Sequence, residues 1–204
     1  IYFGIFHAIS AFCNAGFDLM GEHGAYSSFT PYYNDWVVNL VIMSLIIIGG
    51  IGFFVWNDIS INKLSFRKYR LHTKIVLIST FILVFGGAAL LFFFERNQTI
   101  AGMPFDDKVL CSLFGSVTAR TAGFNTVDTA ALTDSSKILT SILMFIGGSP
   151  GSTAGGIKTT TFVVLLIYVH ANLSKEMHCK IMGRRLDEGS IRKASAIFSL
   201  TYFP

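Results

Sequence analysis

Uncharged runs of membrane length punctuate the chain. Residues 36–56 form the first, 21 positions without a charge between Asp35 and Asp58, with Trp36 and Trp56 at its ends. A helix of that length rises about 31 Å, which matches a bilayer's hydrocarbon core, and tryptophan suits the interfacial belts. Residues 75–94 form a second run of 20, between Lys74 and the pair Glu95-Arg96. The third, 138–169, holds 32 residues with Lys158 as its one charge and is interrupted by Gly147-Gly148-Ser149-Pro150-Gly151-Ser152-Thr153-Ala154-Gly155-Gly156. Glycine and proline at that density break a helix. The flanks, 138–146 and 159–169, are each half a membrane thick. Unwound backbone at membrane depth is tolerated only where protein or a water-filled cavity satisfies its polar groups, so the pattern predicts a broken helix facing an aqueous pathway.

Two shorter apolar stretches, 2–13 and 109–119, give only about 18 Å of helix each and cannot span. Each leads into a small-residue turn, Asn14-Ala15-Gly16-Phe17 or Thr121-Ala122-Gly123-Phe124. Such segments are candidates for re-entrant half-helices. The order then repeats: half-helix, Ala-Gly-Phe turn, polar loop, long apolar segment containing Gly-Gly. The turns lie 107 residues apart and the pairs Gly49-Gly50 and Gly147-Gly148 lie 98 apart. In the second copy the run 75–94 precedes the half-helix. No such run precedes the first copy and no initiator Met precedes Ile1, so the chain is expected to be a piece of a longer polypeptide.

Charge orients these elements. The segment 57–74 holds Lys63, Arg67, Lys68, Arg70 and Lys74 against Asp58, and 171–193 holds six basic residues against Glu176, Asp187 and Glu188, together 11 of the 16 in the chain. No Lys or Arg lies in the loop that carries Asp18, Glu22 and Asp35. Positive-inside bias places both basic linkers in the cytosol and both Ala-Gly-Phe turns on the outer side. Composition agrees: 52% of residues are hydrophobic and 14% charged, with mean hydropathy +0.58. Soluble domains carry about 25% charged residues. These figures exclude a disordered chain, a disulfide-stapled miniprotein and a nucleic-acid-binding module. Cys13, Cys111 and Cys179 are too scattered for a metal or disulfide framework, and so are the histidines, of which His170 and His178 come nearest to a cluster.

A half-helix that stops near mid-membrane at a glycine turn is the plan of a cation-channel pore loop. The helix aims its negative end at the cavity, and the backbone after it presents carbonyls at coordinating spacing. Glycine is needed where carbonyls must share one axis.

The order Thr118-Ala119-Arg120-Thr121-Ala122-Gly123-Phe124-Asn125, followed by Gly147 through Gly156, Ile157, Lys158 and Thr159, resembles the Trk/Ktr/HKT superfamily of potassium transporters, nearest to its KtrB-type membrane subunits. The resemblance implies an all-α integral membrane fold. It would consist of tandem helix–pore-loop–helix (M1-P-M2) units of a four-unit, pseudo-tetrameric cation channel, multi-pass in the cell membrane. On that plan 1–58 holds the pore helix, filter and second helix of one unit, 59–74 a cytosolic linker, 75–170 a complete unit, 171–193 a second linker and 194–204 the start of the next unit.

The resemblance further implies a selectivity filter made by the backbones of Asn14, Ala15 and Gly16 in one unit and of Thr121, Ala122 and Gly123 in the next. The gate would be the loop of Gly147, Gly148, Ser149, Pro150, Gly151, Ser152, Thr153, Ala154, Gly155, Gly156 and Lys158. Family members with serine at a filter glycine tend to admit sodium, so glycine at both positions favours K+ as the transported ion, with Na+ as a second candidate and no organic cofactor. The implied partners are the lipid bilayer, a second copy in a homodimer and a KtrA-like cytosolic nucleotide-binding ring, with no nucleic acid.

Competing readings remain beside these. The Gly/Ser/Thr-rich segment 147–159 approximates a phosphate-binding loop, but Ile157 stands between Gly156 and Lys158 and spoils the register. A membrane-bound hydrolase would use Ser149, Ser152 or Thr153, and the run offers no His or carboxylate base. Glycine pairs also let helices pack closely, a reading that suits Gly49-Gly50-Ile51-Gly52 and Gly86-Gly87. Lys158 either acts in gating or snorkels to the headgroups. Arg120 is read as a structural ion pair behind the filter, with a partner such as Asp128 or one outside this chain, in preference to direct ion contact. Asp18, Glu22, Asp106 and Asp107 either concentrate cations at the mouth or are solvated loop charges.

Overall fold

The computed structural model describes residues 1–24, 27–63, 65–174, 180–181, 184–185, 189 and 194–196. Seven helices carry the architecture: α1 (Tyr2–Phe12), α2 (Trp36–Ile51), α3 (Phe53–Asn62), α4 (Leu71–Glu95), α5 (Phe105–Ala119), α6 (Asp134–Phe145) and α7 (Thr159–Leu173). A minimal antiparallel pair, β1 (Lys180–Ile181) and β2 (Arg184–Arg185), lies in the second basic linker. Most of that linker and nearly all of 194–204 fall outside the described residues.

The long span is α4, 25 residues. Its buried face carries Val76, Thr80, Val84, Gly87, Ala88 and Leu91. Its opposite face exposes Ile78, Phe81, Ile82, Phe85 and Phe93. A helix apolar on every side fits a hydrocarbon solvent. Against its buried face packs α5, through the close approach that Gly87 permits. There the Ser116 hydroxyl donates to the carbonyls of Val84 (2.8 Å) and Leu83 (3.1 Å), near the middle of α4. The small residue and the hydroxyl supply the packing and hydrogen bonding that join helices in lipid. Gly86, by contrast, faces open space. The last turns of α5, which lead into the turn after Ala119, thus meet α4 near half its length.

The run 36–56 is not the straight span its length predicts. Helix α2 ends at Ile51, and α3 leaves at 93°. Gly52 takes φ +88 at the break, where a side chain would meet the Pro150 carbonyl and the Ser149 hydroxyl. The broken loop of the second unit is therefore wedged into the bend. Helix α3 continues to Asn62 and α4 begins at Leu71, so ordered helix extends into both ends of the linker expected at 59–74. Asp58 closes this stretch by accepting from the Arg70 amide (2.9 Å) and from Asn62 Nδ2 (2.8 Å).

The core joins the two repeats. Phe29, from the loop after the first turn, lies among His7 (ring centroids 5.1 Å), Phe114 (6.5 Å) and Phe124 (5.3 Å). Phe114 and Phe124 are almost wholly buried, together with Ile46, Leu110 and Val117. Backbone bonds stitch the same place: the Phe29 amide donates to Asn125 O (2.8 Å), and the Asn125 amide to Ser28 Oγ (3.1 Å).

Candidate functional site

Both half-helices end in the same local device. After α1, Asn14 takes φ +52 and Gly16 φ +72; after α5, Thr121 takes φ +77 and Gly123 φ +89. The alanine between them is in neither case a positive-φ residue, so positive and negative φ alternate through each turn. Alternation of this kind turns successive carbonyls toward one side. Non-glycine residues enter the left-handed region at a cost, so each turn needs outside support.

Part of that support is local. In the first turn the Ala15 amide donates to Ser10 O (2.9 Å) and the Asn14 amide to Ala11 O (3.1 Å). In the second the amides of Ala122 (3.0 Å) and Gly123 (3.2 Å) share Thr118 O. A hydroxyl from the last helical turn then clasps the phenylalanine after the glycine. Ser10 Oγ donates to Phe17 O (2.7 Å), and Thr118 Oγ1 to Phe124 O (2.8 Å). Among the described residues no hydrogen bond ends on the carbonyls of Asn14, Ala15, Gly16, Thr121, Ala122 or Gly123. Six acceptors in the two turns are thus without a donor among the described residues. The two turns touch: a side chain at Gly16 would run into the Ala122 carbonyl and approach the Gly123 backbone.

Beneath the first turn lies the loop between α6 and α7. Its base is closed by the Gly147 amide on Ile157 O (3.0 Å), the Ile157 amide on Phe145 O (3.2 Å) and the Thr159 amide on Gly148 O (3.1 Å). A helix that stops leaves its last four carbonyls without partners. At the end of α2 those four are met in order. Ile48 O accepts from Trp56 Nε1 (3.0 Å), Gly49 O from the Thr153 amide (3.3 Å), Gly50 O from the Ser149 amide (3.0 Å) and Ile51 O from the Ser149 hydroxyl. The loop is the cap of the broken helix, and the Phe53 amide returns the contact to Gly151 O (3.0 Å). Gly147 and Gly148 face Gly155 O and Ala154 so closely that no side chain fits, which explains glycine at those two positions.

The loop hydroxyls are engaged in structure. Ser149 donates to the α2 carbonyls, Ser152 Oγ accepts from the Ala154 amide (3.3 Å), and Thr153 Oγ1 donates to Phe12 O (2.9 Å). Lys158 Nζ donates to Ala154 O (2.7 Å), holding the loop's return. No nucleophile–base pair and no open phosphate cradle results.

Arg120 is buried at 7% exposure, and its Nε has no hydrogen-bond partner. The pairing with Asp128 does not form: Asp128 is exposed and turns its carboxylate back to accept from the Ala130 amide (2.9 Å). Asp106 and Asp107 occupy the first turn of α5, where the helix dipole favours them. Asp18 Oδ1 accepts from the Met20 amide (2.9 Å).

Three contributors escaped the sequence reading. His7 Nε2 accepts from the Leu19 amide (3.1 Å) while Nδ1 faces Phe3 O (2.7 Å), which fixes the neutral tautomer with its proton on Nδ1. Glu95 joins α4 to α6, accepting from the Thr133 amide (2.9 Å) and hydroxyl (2.7 Å) and from Thr99. Behind the second turn a cavity of about 440 Å3 is lined by Leu91, Gly115, Thr118, Thr121 and Met144. Only the spacing of His7 from its turn, repeated at Phe114 in the second copy, could have drawn attention to that position.

A family model described as TrkH, cation transport protein, matches residues 1–203. The chain is 41% identical over 202 residues to the potassium/sodium uptake protein NtpJ of Enterococcus hirae, covering 98% of this chain and 44% of that protein. It is 39% identical over 205 residues to Ktr system potassium uptake protein B of Bacillus subtilis, covering 100% of this chain and 45% of that one. Its fold matches the solved structure of the potassium transporter TrkH from Vibrio parahaemolyticus with TM-score 0.76, over 97% of this chain and 42% of that chain, at 20% identity. The chain therefore spans less than half the length of the relatives it matches.

Proposed function

The chain belongs to the TrkH family of cation transport proteins, and from that premise we propose that it carries two pore-lining turns and the gate of a channel-like potassium uptake pathway. The observation that carries this reading is the set of six carbonyls without donors among the described residues, in two touching turns in which positive and negative φ alternate. Potassium sheds water and is received by the carbonyls of Asn14, Ala15, Gly16, Thr121, Ala122 and Gly123. The C-terminal ends of α1 and α5 add negative potential at the same place. Throughput requires each site to hold the ion weakly enough to release it.

The loop 147–158 serves as the gate, standing on the side of the turn that leads toward the first basic linker. Gly151 touches the Phe54 ring there, and Phe54 in turn meets His72 at the start of α4. Arg120 acts as a buried support behind the second turn, and Lys158 as the strut of the loop. The protein is a membrane protein. We assign it a multi-pass arrangement in the cell membrane, a homodimeric full-length form and a cytosolic nucleotide-binding partner ring reached through the basic linkers. NtpJ is named for uptake of both potassium and sodium, and Na+ is the second ion we assign to this pathway.

Two measurements on the full-length protein in liposomes test the reading. Deleting 149–153 removes the cap of α2 and raises K+ flux; an unchanged rate removes the gate. Gly123→Ser lowers preference for K+ over Na+; unchanged preference removes the filter assignment.

A further inference from the structure

The first turn is tied to the gate by a single residue. Three of the last α1 carbonyls are met by the turn's own amides: Ile9 O by Cys13, Ser10 O by Ala15 and Ala11 O by Asn14. The fourth, Phe12 O, is met by the Thr153 hydroxyl at 2.9 Å. That hydroxyl in turn accepts from Asn14 Nδ2 at 3.0 Å, and Asn14 Nδ2 also reaches Ile46 O at 3.3 Å and Phe12 O at 3.4 Å. Through its amide Thr153 caps Gly49 O of α2 as well. One loop residue therefore closes two helix ends and holds the side chain of a turn residue. Gly49 makes the junction possible, since a side chain there would fall on Phe12 O and within 2.9 Å of Thr153 Oγ1. In the second turn the matching position is Thr121, whose hydroxyl has no hydrogen-bond partner.

We propose that Thr153 is a positioning residue for ion discrimination: its hydroxyl, delivered by the closed loop, fixes Asn14 and the first filter turn, so that loop movement alters selectivity as well as flow. The inference rests on the potassium-pathway reading above. Moving the loop away from α2 breaks the Thr153 bonds to Asn14 and to Phe12 O together, because both run through one oxygen. Asn14 then keeps only its longer contacts to Ile46 O (3.3 Å) and Phe12 O (3.4 Å) in a conformation, φ +52, that it does not favour unaided. Turn two, lacking such a tie, keeps its shape. Discrimination is thereby coupled to the gate at one turn only.

The test uses the full-length transporter in liposomes, with K+ and Na+ uptake measured in competition and each ion's apparent KM and maximal rate recorded. Thr153→Val keeps shape and removes the hydroxyl; it lowers K+ over Na+ discrimination about fivefold, the scale of one lost neutral hydrogen bond. Thr153→Ser restores it. Asn14→Thr, which places the second turn's residue in the first, breaks the same contact from the filter side. It lowers discrimination by a similar factor and adds little to Thr153→Val, as expected of two residues acting through one bond. If Thr153→Val and Asn14→Thr each scale both maximal rates equally and leave discrimination unchanged, the coupling is overturned. That result, with wild-type K+ flux present and deletion of 149–153 raising it, overturns this inference alone. Absence of K+ flux in the wild type overturns the pathway reading and this inference with it.

Discussion

The turns at Asn14-Ala15-Gly16-Phe17 and Thr121-Ala122-Gly123-Phe124 share their sequence pattern, their positive-φ positions and a hydroxyl clasp, yet much of their surroundings differs. The first is gripped from below by Thr153, from the side by the Ala122 carbonyl and from above by the His7 to Leu19 bond. The second is backed by an apolar cavity and by Arg120 without an ionic partner among the described residues. The final phenylalanines make the contrast plain: Phe124 is fully buried under Phe29, whereas Phe17 is 71% exposed. A left-handed turn is costly wherever it occurs, and these two are held by unlike means. A repeated motif thus fixes backbone shape, while its neighbours fix how much each copy tolerates.

The two glycines separate the copies most sharply. At Gly16 an added methyl would enter the Ala122 carbonyl, which is backbone and cannot swing aside. Gly16→Ala is expected to destabilise the full-length protein by about 3 kcal/mol or more, combining left-handed strain with overpacking, and to abolish K+ uptake. At Gly123 the nearest atom to such a methyl is Gly16 Cα at 3.9 Å, an ordinary contact. Gly123→Ala is expected to cost only the conformational strain, about 1–2 kcal/mol, and to leave folded, measurable transporter. Thermal unfolding in detergent beside Rb+ uptake reads both. Equal losses at the two positions would show that the turns are held alike and break the comparison.

A smaller difference is expected at the clasps. Thr118→Val strips the donor from Phe124 O, which belongs to a residue with no exposure, and an orphaned buried acceptor costs about 1–3 kcal/mol. Ser10→Ala does the same to Phe17 O, whose residue is open, so the loss is expected at about 0.5–1 kcal/mol. The same unfolding measurement ranks them. A larger loss for Ser10→Ala would mean that the first turn depends on its own clasp more than on the loop beneath it.

How much of this could be read in the chain depends on where each determinant lies. The half-helices, the span that became α4 and the start of α7 at Thr159 are marked by charges and glycines within the segments themselves, and they were legible. So was the pairing of the turns, because the repeat carries it. The bend at Gly52 was hidden, since the groups that cap α2 and fill the bend come from Ser149 and Thr153, about a hundred residues away. An uncharged run reports length and polarity but not straightness. For the same reason Thr153 was legible as part of a loop and illegible as the partner of Asn14. The partner suggested for Arg120 failed because proximity in sequence to Asp128 says nothing about which way a turn residue faces.

The weakest effect expected of the comparison concerns His7. Counting back from the turns, His7 in α1 corresponds to Phe114 in α5, and both rings pack on Phe29. The two positions thus do the same packing, and only His7 adds a hydrogen bond, accepting from the Leu19 amide just beyond the first turn. His7→Phe converts one copy to the other: the ring stays, the acceptor goes, and the Leu19 amide must find water. A loss of about 0.5–1 kcal/mol is expected, the net worth of one neutral bond, with K+ uptake reduced and its preference over Na+ unchanged. Preference is the informative readout. Thr153 touches Asn14 directly, whereas His7 braces the chain after the turn has ended, so the first should move selectivity and the second stability alone. A shift in preference from His7→Phe would place the control of the first turn above it as well as in the loop below.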